Sequence, residues 1–82
     1  MLFKFTKIFS YRSSLADCRM ALKFIPEYHK AKIKAAQCCL KLKMYDDAID
    51  YCNDVLKMRP NDANAIKIQS EAQTYKVEKN FE

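Results

Sequence analysis

Residues 11–26 read YRSSLADCRMALKFIP and residues 45–60 read YDDAIDYCNDVLKMRP, and the two stretches align without a gap. Tyrosine meets tyrosine, cysteine meets cysteine and proline meets proline, each pair 34 residues apart. Leu15 matches Ile49, Ala21 matches Val55, Leu22 matches Leu56 and Lys23 matches Lys57. A fixed period of this size marks a solenoid, in which one supersecondary unit recurs because no single unit can bury its own apolar face. What one such unit contains therefore decides the fold.

In the second copy Ala48, Ile49, Cys52, Val55 and Leu56 recur at helical spacing, and Pro60, which has no N–H to give, predicts a helix that stops near Arg59. Asn61 and Asp62 offer side-chain oxygens to cap a further helix, expected to run through Ile66, Gln69, Ala72 and Tyr75 into a charged tail. A polar-faced last helix is what a solenoid needs in order to end. Between the copies, HKAKIKAAQCC (residues 29–39) begins like a half-buried strand, with lysine alternating with an apolar residue. The alternation lasts only three cycles. Ala31, Ala35, Cys38 and Leu42 fall at i, i+4, i+7 and i+11, and Ala36 and Cys39 widen the stripe, so residues 27–44 are expected to hold one more helix. At roughly 100° per residue, Lys30, Lys34 and Gln37 share one face of it and Lys32 points nearly opposite.

Composition agrees with an all-α chain. Its 82 residues suffice for one small domain; half are apolar and 30% charged, as in a globular protein, and the absence of glycine disfavours tight hairpins, phosphate-cradling loops and dinucleotide fingerprints. The four cysteines lack the paired spacing of a metal site, and Cys18 and Cys52 occupy one slot of successive copies, so all four are read as reduced packing residues in a cytosolic or nuclear protein. No cofactor or metal is expected. His29 has no nucleophile partner in a recognisable arrangement, so no enzymatic activity is expected either. The opening MLFKFTKIF is apolar, but Lys4 and Lys7 interrupt it and no cleavage site follows; no stretch reaches the ~20 apolar residues of a membrane span.

The formal charge of +5 is unevenly spread. Residues 11–44 hold eight bases and two acids, whereas residues 45–82 hold five bases and eight acids. An acidic partner should dock on the first half. Nucleic acid is the rival reading of that charge, disfavoured because Phe24, Tyr45, Tyr51 and Tyr75 sit at intervals suited to packing between helices and not to an exposed stacking platform.

The small residues Ala35, Ala36 and Ala48, with Tyr45 and Pro60, resemble the tetratricopeptide-repeat pattern. The resemblance implies a helix-turn-helix solenoid: a non-repeat segment at 1–10, the second helix of a partial repeat at 11–26, a full repeat at 27–60, and a capping helix and tail at 61–82. More narrowly, the run from Tyr11 to Leu56 is similar to the last repeats of tetratricopeptide co-chaperones of heat-shock protein 90. That similarity implies a protein-binding role, in which a concave face takes the acidic C-terminal tail of heat-shock protein 90 or 70 through a carboxylate clamp. The clamp positions carried over are Lys30 and Lys34, with Gln37 one turn on as an added polar contact. Cations one helical turn apart can straddle a carboxylate with charge-assisted hydrogen bonds. Three departures stand out. Lys34 takes a slot where arginine is common, which gives a point charge in place of a fork. Lys32 takes a slot usually filled by a large apolar residue, so its stem is expected to pack while its ammonium snorkels. One period before Lys34 lies position zero, ahead of Met1, so the upstream wall of the clamp is expected to be missing from this chain.

Overall fold

Each stretch with a helical apolar period folds as a helix: α1 (Leu2–Phe24), α2 (His29–Lys41), α3 (Tyr45–Met58) and α4 (Ala63–Phe81). The structure, a computed structural model, describes the backbone of residues 2–81 and the side chains of residues 9–77. Short connections force successive helices to pack side by side, α1 on α2, α2 on α3 and α3 on α4, and α2 also touches α4. The α2–α3 hairpin is the full repeat. The second half of α1 stands where the second helix of a preceding repeat stands, and α4 where the first helix of a following one does.

The local signals act as expected, with two differences. Pro26 and Pro60 each lie two residues beyond a helix end. Of the two candidate caps, Asp62 is the one used: its Oδ1 accepts the Ala65 N–H at 3.1 Å. The α2–α3 connection closes with the Met44 N–H donating to the Cys39 carbonyl (2.8 Å) and the Lys43 N–H to the Leu40 carbonyl (3.2 Å). That pairing needs a left-handed residue at Lys43, whose φ is 65°. The other difference concerns residues 2–10, whose backbone continues α1 without a break; the lysines and aromatics at 1–8 lie outside the described side chains.

Small residues set the packing. Ala35, Ala36, Cys39, Ala48, Val55, Ala65 and Ala72 are fully buried, which lets the helix axes approach closely. One core cluster joins Leu15 and Cys18 of α1 to Ala35, Cys38 and Cys39 of α2 and Ala48 of α3. A second joins Ala36 of α2, Cys52 and Val55 of α3, and Ala65 and Ile68 of α4. All four cysteines are buried as free thiols, the packing role their positions suggested.

Two expectations are corrected. The buried stripe of α4 is Ala65, Ile68 and Ala72, not a stripe through Ile66 and Tyr75, which are exposed. Ala65 and Ala72 let α4 come close to its neighbours, and Ile68 packs with Cys52 and Val55 of α3; Tyr75 lies at the edge, stacked on Tyr45 of α3 at 5.7 Å. Phe24 is 79% exposed at the end of α1 and packs between no helices. Lys32 does snorkel: its side chain is only 16% exposed, and its Nζ lies 3.7 Å from Asp54 Oδ2 of α3.

Candidate functional site

α2 touches all three other helices, and its exposed strip borders two of the clefts between them. Lys30, Lys34 and Gln37 lie on that strip and are exposed, as their spacing predicts. The structure divides them between two clefts. A cleft of about 250 Å³ between α1 and α2 takes Lys30 and Lys34 on its rim, opposite Asp17, over a floor of Cys18, Ala21 and Ala31. A larger one of about 510 Å³ opens between α1, α2 and α4, and it takes Lys34 and Gln37. Lys34 alone of the three borders both.

The larger cleft also holds residues that sequence reasoning missed: Lys41 on α2, and Asn64, Lys67 and Glu71 on α4. Lys41 is two turns beyond Lys34, and Asn64 lies one 34-residue period after Lys30, so both signals were present. The misjudged phase of α4 hid the second. Three cations, Lys34, Lys41 and Lys67, thus face one acid, Glu71, around the amides of Gln37 and Asn64. Among the described residues, Lys30, Lys34, Lys41 and Lys67 enter no ion pair, whereas Lys32, Arg59 and Lys76 are each held by an aspartate. Cations left without acidic partners in a concavity attract carboxylates from outside. Cys38 and Ile68 lie beneath them and give the cleft an apolar floor.

The thiols are chemically quiet. Burial raises the pKa of Cys18 and Cys38, and the charge of Lys34 pulls both partly back. Burial pushes Cys39 and Cys52 up to about 11, which leaves them protonated and poor nucleophiles at neutral pH. His29 is engaged by Arg59, whose Nη1 lies 3.2 Å from His29 Nε2. Among the described residues no three histidine, cysteine or acidic side chains gather as a metal site would require, and no helix is long and apolar enough to cross a membrane. The arrangement suits recognition of an anionic segment.

Comparison with known proteins bears on the repeat and not on the ligand. Over 69 residues, 84% of the chain, it is 34% identical to the Drosophila melanogaster DNA polymerase interacting tetratricopeptide repeat-containing protein of 47 kDa. It is 33% identical over 67 residues to tetratricopeptide repeat protein 4 of Bos taurus, and 34% identical over 65 residues to that of Mus musculus. The chain spans 17% of the length of each of these relatives. No protein-family model and no solved structure matches it. With helices paired as the 34-residue period requires, the chain carries a tetratricopeptide-type repeat and is similar over most of its length to proteins of that family.

Proposed function

We propose that this chain is a protein-binding module of a chaperone cofactor, and that its larger cleft captures acidic C-terminal peptides of the heat-shock protein 90 and 70 kind. The repeat similarity supports a protein-interaction role, and the ligand class is our reading of the site. The observation that carries it is the convergence of Lys34, Lys41 and Lys67, none in an ion pair among the described residues, on a concave cleft with Gln37 and Asn64. Lys30 lies one turn from Lys34 at the cleft's upstream edge, where it extends the positive field without lining the same cavity. Binding is electrostatic capture by a preformed surface, so affinity falls with added salt, and no bond is made or broken. We place this activity in the cytosol or nucleus, where four free thiols stay reduced.

Fluorescence anisotropy with a labelled Glu-Glu-Val-Asp peptide, its C-terminally amidated form and a single-stranded RNA tests the reading. The free carboxylate should bind more tightly than the amide, and Lys34→Ala should weaken it by roughly tenfold, the loss of one charge-assisted contact. RNA binding that exceeds peptide binding, with no preference for the free carboxylate, overturns the proposal and favours the basic row Arg12, Arg19 and Lys23 on α1 as a nucleic-acid surface.

A further inference from the structure

A further groove, of about 550 Å³, lies between α1 and the α2–α3 connection, and it shares no residue with the two clefts that Lys34 borders. Buried Leu15 and half-buried Leu42 and Met44 make its floor, beside the exposed Ala16 and Met20. Arg12, Arg19 and Lys23 complete the lining, which contains no acid. Among the described residues none of these three cations enters an ion pair. Arg19 is steadied from α3, its Nε donating to the Tyr51 hydroxyl at 3.4 Å.

The openness of this face belongs to the repeat, whereas its chemistry is particular to α1. One period on from Arg12, Ala16, Arg19, Met20 and Lys23 stand Asp46, Asp50, Asn53, Asp54 and Lys57. All five are exposed although α2 packs against α3, so a first helix seated against α1 in the same way leaves the groove open too. The α3 copy of the face is polar along its length, as a solvated surface is. On α1 the aspartates are replaced by Arg12, Ala16 and Met20, and Met20 stands 54% exposed among cations. A large apolar side chain held in solvent within a basic rim marks a surface that something covers.

We propose that this groove docks an acidic amphipathic helix of another protein. Charge sets the first requirement, since a rim of three cations and no acid is complementary to carboxylates. The floor sets the second: Leu15, Met20, Leu42 and Met44 need apolar side chains against them, and methionines adapt to the shape that arrives. A phosphate backbone satisfies the rim and leaves the floor wet. The α3 of a second copy has the charge in Asp46, Asp50 and Asp54, with no apolar side chain among them to fill the floor. An amphipathic helix laid in a groove meets both requirements. Arg19 follows Arg12 by seven residues and Lys23 follows Arg19 by four, which is about 10 Å and then about 6 Å along α1. A helix lying alongside has the same rise, so carboxylates at the same spacing face all three cations. The space above Ala16, the small residue between Arg12 and Met20, takes its apolar anchor.

Fluorescence anisotropy with a labelled helical peptide tests it. The peptide carries glutamates four, seven and eleven residues after a first, to fit the spacing of Arg12, Arg19 and Lys23 in either chain direction, with leucines beside them. Its C-terminus is amidated, so it offers a carboxylate clamp no terminal carboxylate. The parent chain should bind it, and saturating Glu-Glu-Val-Asp peptide should not displace it. Ala16→Trp fills the groove with every charge in place and should weaken binding at least tenfold. Arg12→Glu/Lys23→Glu should weaken it roughly tenfold, beyond the few-fold effect of a single exposed ion pair. Both variants change exposed positions and should keep the parent's circular dichroism. A parent chain that does not bind the peptide overturns the proposal, as does an Ala16→Trp chain that binds it equally well. Equal binding of a peptide with serines for leucines, or tighter binding of single-stranded RNA or phosphatidylserine vesicles, also overturns it. So does self-association of the parent that Arg12→Glu/Lys23→Glu abolishes, which would make a second copy's α3 the occupant.

Discussion

Alkylation of the four thiols should follow the packing order of the core, and its rates can be worked out beforehand. An ordinary cysteine with a pKa of 9.0 is about one tenth thiolate at pH 8, whereas Cys39 and Cys52, pushed up to about 11, are about one thousandth thiolate. Ionisation alone slows the folded-state reaction roughly a hundredfold. Access is the stronger barrier, because Cys39 and Cys52 are 0% and 1% exposed and an alkylating reagent must wait for the helices to part. With a stability of about 4 kcal/mol, usual for so small a core, the open fraction is roughly one in a thousand, and these two thiols should react about a thousandfold more slowly than in urea. Cys18 and Cys38 border clefts and lie near Lys34, whose charge favours their thiolates, so they should react faster than the other two. A short iodoacetamide pulse, tryptic digestion and mass spectrometry resolve the sites: Cys18 falls within residues 13–19, Cys38 and Cys39 within 35–41, and Cys52 within 44–57. Lys34→Ala should slow Cys18 and Cys38 and leave Cys52 unchanged. Labelling of Cys52 within tenfold of its rate in urea would refute the packing argument, and an unchanged Cys18 rate in Lys34→Ala would refute the electrostatic one.

Three further outcomes follow from the packing of the core and its connections. Val55→Ala empties a fully buried site between α2, α3 and α4 and should cost about 2 kcal/mol in urea unfolding, from two lost methyl groups and the cavity they leave. Lys43→Gly removes the strain of a side chain at φ 65° and should raise stability by about 1 kcal/mol in the same assay; a loss would show that Lys43 makes a contact worth more than its strain. Raising the pH should unfold the chain in a defined window: the folded-state pKa values of Cys39 and Cys52 lie above the unfolded value of 9.0, so their protonated forms favour the fold fully below pH 9 and that stability is lost as pH rises toward about 11. Thermal melts of the parent and of Cys39→Ala/Cys52→Ala should differ in how steeply they fall across that window, and parallel curves would exclude the thiols as the cause.

The repeat was legible because periodicity is carried by side-chain type at fixed spacing, and Cys18 with Cys52 or Pro26 with Pro60 survive in one dimension. The same holds for Lys30, Lys34 and Gln37, whose common face needs only the helical angle. The phase of α4 was not legible. Ile66 and Ile68 are equally apolar, and only the closeness of α3, which admits Ala65 and Ala72, decides which isoleucine is inside. The division of the three site residues between two clefts was hidden for a related reason: a face of one helix becomes two sites once α1 and α4 lie on either side of it. Lys43 carried no signal, since nothing about a lysine announces a left-handed turn, and the position is dictated by where α2 must stop for α3 to fold back.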